Sequence, residues 1–217
     1  MRVIALPVKS LVEAKARLAP VLEPLERAAL TLAMLEDVLD ATLALPGWET
    51  WVVSPDDTVL EVAARRGARA VVEDTPTLQA AIHQVETDAL GLGAQTLAVL
   101  LPDTPLVTPA ALTRAVHTLG PAVVAPAIDE VGTNLLLRRP PDVVPAAFGP
   151  DSYRRHLQGA AERDIPMSVV ERRELGFDLD VPGDILTVLD AGRRTRTWEV
   201  CHDLDARARL GARAARP

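Results

Sequence analysis

TLAVLLPDTPLVTPAALTRAVH, residues 96–117, decides the fold. Thr96–Leu101 is a short unbroken apolar run, the mark of a strand covered on both faces. Pro102-Asp103-Thr104-Pro105 is a turn by composition. Thr108 then caps a helix whose first position is Pro109. A buried strand, a turn and a capped helix make half of a βαβ unit.

The same rhythm extends in both directions. Val3–Leu6 reads as a first strand. Pro24 to Leu45 reads as a helix, with Leu25, Ala28, Leu32, Leu35, Leu39 and Leu43 at helical spacing and Gly47 past its end. Glu49–Ser54 is a second strand, Pro55–Arg66 a helix closed by Gly67, Ala68–Val72 a third strand and Thr77–Leu90 a helix. Ala122–Ala125 is a further strand. The alternation predicts an α/β domain with a mostly parallel sheet between helical layers. From about residue 127 the rhythm changes to a strand at Asn134–Arg138, a helix at Pro150–Ala161 and a strand at Met167–Val170. Phe177–Asp180 leads into a helix from Pro182 that Gly192 stops. This region is read as an antiparallel elaboration of one domain spanning residues 1–192. The charged, Ala/Arg-rich tail 193–217 reads equally as helix or as disorder.

Composition narrows the class. The 217 residues are 48% apolar and 24% charged, with a formal charge of −7. An acidic surface argues against general binding of nucleic acid or anionic membrane. The longest apolar run falls short of the ~18 residues of a membrane span. One cysteine, Cys201, gives neither an internal disulfide nor a zinc cluster, and with no leader-like N-terminus a cytoplasmic protein is expected. Lysine stands only at positions 9 and 15, asparagine only at 134 and tyrosine only at 153.

Ligands of open α/β sheets bind beyond the carboxyl ends of the strands. After the first strand come Lys9, Lys15 and Arg17, a basic loop suited to phosphates, or a solvated charged turn. No glycine-rich phosphate loop or dinucleotide fingerprint occurs. After Thr96–Leu101 comes Asp103, a magnesium ligand or a turn residue. Asp178 and Asp180, at i and i+2, point the same way if extended, though Asp180 alone also reads as a helix cap. Thr133, Gly149 and Ser152 sit at a strand start and a helix start, where free N–H groups and hydroxyls take an anion, or where they merely make a turn and a cap. His156 is one turn beyond Ser152 and can share its pocket. No GxSxG elbow is present.

In this order, PVKSLVEAKARLAPVL, LPDTPLV, GTN, FGPDSYRRH and FDLDVPGD resemble the 2-phospho-L-lactate or phosphoenolpyruvate guanylyltransferases of coenzyme F-420 biosynthesis. The resemblance runs from about Val3 to Leu189. It implies a Rossmann-like, three-layer fold of the nucleotide-diphospho-sugar transferase kind. It implies transfer of GMP from GTP to the phosphate of a phospho-carboxylic acid, with release of diphosphate. Carried over by position, Asp103, Asp178 and Asp180 are the Mg2+ ligands. Thr133, Gly149 and Ser152 hold the acid. Lys9, Lys15 and Arg17 are catalytic, and Leu6, Pro7, Lys9, Lys15 and Gln79 bind the nucleotide. Gln79 carries an amide donor and acceptor suited to guanine. Two departures stand out. Asp74-Thr75-Pro76-Thr77-Leu78-Gln79 replaces a glycine-rich, Asn-containing stretch, and Pro102-Asp103-Thr104-Pro105 replaces Ala-Asp-Leu-Pro. The family points to a homodimer. The rival readings are another nucleotidyltransferase or a glycosyltransferase on the same scaffold, and a non-catalytic nucleotide-binding module.

Overall fold

A computed structural model describes residues 1–214. Its seven-stranded sheet has the order β3-β2-β1-β4-β6-β5-β7. The strands are β1 (Arg2–Pro7), β2 (Glu49–Ser54), β3 (Arg69–Val72), β4 (Thr96–Leu100), β5 (Ala122–Pro126), β6 (Thr133–Arg138) and β7 (Met167–Val169). Every neighbouring pair is parallel except the two that β6 makes, with β4 and with β5. A mostly parallel sheet with an antiparallel insertion is what the sequence predicts.

The pleat sorts β1 between two cores. Ile4 and Leu6 pack on one face with α1 (Pro24–Leu43), α2 (Asp57–Arg66) and α4 (Pro109–His117). Val3 and Ala5 pack on the other with α3 (Leu78–Gly91), Phe148 and the flank of α5 (Ser152–Ala161). Both faces are covered, so the strands are apolar throughout rather than alternating. Local signals set the helix ends. The Asp56, Thr77 and Thr108 side chains accept from the N–H groups of Thr58, Ala80 and Ala111. Gly67, at φ 89°, closes α2 in the left-handed conformation that a side chain resists.

The stripe expected on α1 is corrected. Leu25 is 85% exposed, while Leu30 and Met34 are buried. The helix is covered on two flanks, so no single stripe describes it. Leu35, Val38 and Leu39 face the sheet. Leu30 and Met34 face a third core built with Phe177, Leu179, α7 (Asp184–Asp190), α8 (Arg196–Asp203) and α9 (Ala206–Ala214). The sequence left 193–217 open between helix and disorder, and 196–203 and 206–214 are helical. Asp37 of α1 receives the start of α8. Its carboxylate accepts from the N–H groups of Arg196 and Thr197, both at 2.9 Å, and from the Thr197 hydroxyl at 2.6 Å. Glu26 holds α9 through both of its oxygens to Arg209, at 2.7 and 2.9 Å. A four-residue helix, α6 (Arg173–Gly176), is too short to show a period and was not anticipated.

Candidate functional site

Chain order reverses at β1, whose neighbours β2 and β4 lie on opposite sides. That switch point opens a crevice beyond the carboxyl ends of the strands. Two adjoining clefts fill it. The first, of 380 Å³, is lined by Pro7, Lys9, Lys15, Arg17, Asp103 and Asp180 among others. The second, of 330 Å³, shares Pro7, Val8, Lys9, Glu13 and Leu78 and runs toward Pro55, Glu73 and Pro76.

The charges of the first cleft come from three loops. Lys15 takes a left-handed backbone (φ 50°), a conformation that costs a non-glycine residue of order 1 kcal/mol. Its ammonium lies 2.9 Å from Asp103 Oδ2 and 2.8 Å from Asp180 Oδ1. Burial acts to lower its pKa, but Asp103 and Asp180 outweigh that and hold it above the ordinary lysine value. Arg17 Nη1 stands 3.7 Å from Asp180 Oδ2. The Asp178–Asp180 segment docks beside the β4 loop, where the Leu179 N–H donates to the Asp103 carbonyl at 3.0 Å. Leu179 is buried in the third core and the two aspartates flank it, so they share the opposite side. Burial pushes the Asp178 carboxyl up to about 6, with Asp103 and then Asp180 adding to the rise. Asp103, Asp178, Asp180 and Lys15 thus feel one another directly.

Asp180 is not a helix cap. The helix that follows starts after Gly183 with no side-chain cap, and Asp184 at its start accepts from the Asp180 and Val181 N–H groups ahead of it. The described residues contain no ready-made group of three metal-ligating side chains. Two observations nonetheless fit a divalent cation. Asp103 Oδ1 is buried without a hydrogen-bond partner, and the Asp178 carboxylate is disfavoured by its acidic neighbours. A hard cation with oxygen ligands relieves both.

Thr133, Gly149 and Ser152 assemble apart from these clefts, around His156. Thr133 opens β6 beside the end of β4, because the strands run in opposite directions and Leu100 pairs with Leu135. Ser152 and His156 lie on α5, and Gly149 is in the preceding loop at φ 109°. Asp151 at the helix start supplies no side-chain cap. Gln79 lies outside both clefts and donates to the Ala146 carbonyl at 2.6 Å. Leu6 is buried in the core beneath the crevice, whereas Pro7 lines both clefts.

Two residues join the site that the sequence did not assign. The Asn134 amide donates to the carbonyls of Leu175 and Gly176 at 3.1 and 2.9 Å and reaches Asp178 Oδ1 at 3.4 Å. It ties the β6 start to the aspartate segment, and its being the sole asparagine was the available signal. Glu73 lines the second cleft, as does Glu13, which the first cleft shares. Burial raises the Glu73 pKa, against the Thr77 N–H and the Lys9 charge. Nothing in its local sequence marks it.

A family model described as "Guanylyl transferase CofC like" matches residues 1–211. The phosphoenolpyruvate guanylyltransferase of Rubrobacter xylanophilus is 41% identical over 86% of this chain and 92% of its own. That of Sphaerobacter thermophilus is 38% identical over 84% and 90%. The 3-phospho-D-glycerate guanylyltransferase of Phenylobacterium zucineum is 37% identical over 90% and 93%. Among solved structures, one from Desulfovibrio desulfuricans G20 superposes with a TM-score of 0.78 at 20% identity, covering 97% of this chain and 98% of that one. A nucleotidyl transferase from Methanothermobacter thermautotroptrophicus superposes with a TM-score of 0.62 at 20% identity, covering 88% and 97%.

Proposed function

Because the chain belongs to the CofC-like guanylyl transferase family, we propose that it transfers GMP from GTP to the phosphate of phosphoenolpyruvate, releasing diphosphate, as a step of coenzyme F-420 biosynthesis. The observation that carries this reading is the cluster at the switch point. There Lys15 joins Asp103 to Asp180, and Lys9 and Arg17 line the same cleft. Phosphoenolpyruvate is preferred to 2-phospho-L-lactate or 3-phosphoglycerate because relatives at 41 and 38% identity bear its name.

An acceptor phosphate is already ionised, so its oxygen attacks the α-phosphorus of GTP with no base to activate it. A new P–O bond forms, the bond to the β-phosphate breaks, and diphosphate leaves with the electron pair. Catalysis then consists of aligning two anions that repel and neutralising charge on the leaving group. Lys9, Lys15 and Arg17 supply positive charge beside the phosphates. Asp103, Asp178 and Asp180 are the residues that would hold Mg2+, which when bound offsets phosphate charge. Thr133, the Gly149 backbone and Ser152 take the acceptor acid.

The second cleft takes the base. Its walls of Pro7, Val8, Pro55, Pro76 and Leu78 suit a flat ring, and of its two carboxylates Glu13 also lines the phosphate cleft, which leaves Glu73 for the base. Guanine presents two donors on one edge, N1–H and the 2-amino group, and a carboxylate can accept both. That assignment replaces Gln79, whose amide is committed to Ala146.

The test is diphosphate release with GTP and Mg2+ against phosphoenolpyruvate, 2-phospho-L-lactate and 3-phosphoglycerate, each also run with ATP. Release that requires an acid and is fastest with phosphoenolpyruvate and GTP is expected. No release with any acid would leave only a nucleotide-binding module.

A further inference from the structure

His156 is completely buried, yet both ring nitrogens are engaged. Nε2 lies 2.8 Å from the Ala147 N–H, and Nδ1 lies 3.0 Å from Thr133 Oγ1. A backbone N–H can only donate, so Nε2 must be the accepting nitrogen. A neutral imidazole has one of each kind, so its proton is on Nδ1. Nδ1–H therefore donates to Thr133 Oγ1. The hydroxyl's lone pair is used and its own proton is left to point elsewhere. Phe148 holds the ring by an edge contact, with centroids 5.1 Å apart and planes at 71°.

We propose that His156 is a positioning residue for the acceptor acid, one that fixes the Thr133 hydroxyl as a hydrogen-bond donor toward the anion. This rests on the acceptor site proposed above. With the other tautomer, the Thr133 proton would be given to the ring and the oxygen lone pairs would face the anion, which repels. Donation from Nδ1–H also polarises the hydroxyl and strengthens its own donation. The same imidazole links three parts of the site. It bonds β6 through Thr133 and the 147–149 loop through Ala147, and it stands one helical turn from Ser152 on α5. Thr133 is itself 2% exposed, so bulk water does not replace the ring as its partner.

Conservative variants separate the two nitrogens. The side-chain amide of His156→Gln overlays Nε2 and can accept from Ala147, but it does not reach Thr133. That of His156→Asn overlays Nδ1 and can donate to Thr133. Steady-state kinetics with GTP, Mg2+ and phosphoenolpyruvate should show His156→Gln raising the KM for the acid about 10-fold, on the scale of one lost hydrogen bond to a charged group. The KM for GTP should hold and kcat should move far less. His156→Asn should return the acid KM to within about 3-fold of the parent. Thr133→Val should raise it as His156→Gln does, and the double variant should be no worse than either, because the histidine acts through the hydroxyl. Asn no better than Gln, effects that multiply in the double variant, or a GTP KM that rises in step would each overturn the inference. Thr133→Val with an unchanged acid KM would remove the acceptor site as well, whereas Thr133→Val impaired beside a normal His156→Gln removes only the role of His156. Should a variant not fold, ring 15N shifts of His156 in the parent protein decide. An Nδ1–H ring supports the inference and an Nε2–H ring overturns it.

Discussion

At the scale of single residues, the site is held by opposed charges in close quarters, so conservative changes of charge are the informative ones. Asp103→Asn preserves shape and removes a negative charge that meets Lys15 and lies against Asp178. We expect turnover to fall at least ~10²-fold, the scale of one strong electrostatic contact in the transition state. The melting temperature should change little, because the loss of attraction to Lys15 is offset by relief of Asp178. Activity of the parent should vanish in excess chelator and return with Mg2+; full activity under chelation would contradict the metal assignment. Glu73→Gln tests the base. It should cut kcat/KM for GTP about 10²-fold and collapse the preference for GTP over ITP, which lacks the 2-amino group. An equal loss for every nucleotide would instead indicate a structural role. His156 gives a pH signature. Burial, then the charges of Arg138 and Arg155, lowers its pKa to about 4 from 6.5. Below 6.5 the unfolded chain takes up a proton that the fold refuses, so this residue's effect on stability is nil above 6.5 and destabilising as pH falls toward 4. The total is about 3 kcal/mol. Asp178 acts with the opposite sign, since its raised pKa favours the fold as pH falls through 6. Urea titrations of parent and His156→Asn at several pH values isolate the histidine by difference, and parallel curves would refute the assignment.

At the scale of elements, the joint between α1 and α8 is the most exposed to a single change. Asp37→Ala leaves the buried Thr197 hydroxyl and the first N–H groups of α8 without their acceptor. The expected loss is about 2–3 kcal/mol, a helix cap plus a stranded buried polar group, read by urea unfolding. Limited proteolysis should then open the 192–195 connection first. How legible these elements were follows from how local their causes are. The strands and the cap at Thr108 are written in contiguous residues, and the sequence reading placed them within one or two positions. The stripe on α1 misled because burial by α8 and α9 is decided more than 150 residues away along the chain. The basic loop and the three aspartates were readable because strand ends collect them. Asn134 was not assigned, and His156 was placed beside Ser152 without its partners, since those contacts arise only when Gly176 and Ala147 fold against them. The contact of Gln79 with Ala146 was illegible for the same reason, its partner being 67 residues distant.

At the scale of the whole molecule, the two clefts at the switch point and the Thr133–Ser152 cluster form one edge of one sheet, so ligands should tighten the entire fold. GTP with Mg2+ at 100 times its Kd should add about 2.7 kcal/mol, a rise of about 5–11 °C in Tm for a chain of this size, while GTP with chelator should add much less. A differential scan with and without metal checks this. The reversed strand has a consequence of its own. Since β6 alone runs against its neighbours, it brings its first residues, not its last, to the working edge. On the proposed assignment the nucleotide is met by the endings of one set of strands and the acid by the beginning of another, joined through β4 and through Asn134, which reaches Asp178. The two specificities then sit on separate segments of the chain. Replacing the β5–β6 hairpin and α5 with those of a relative is expected to change which acid is accepted while the use of GTP holds.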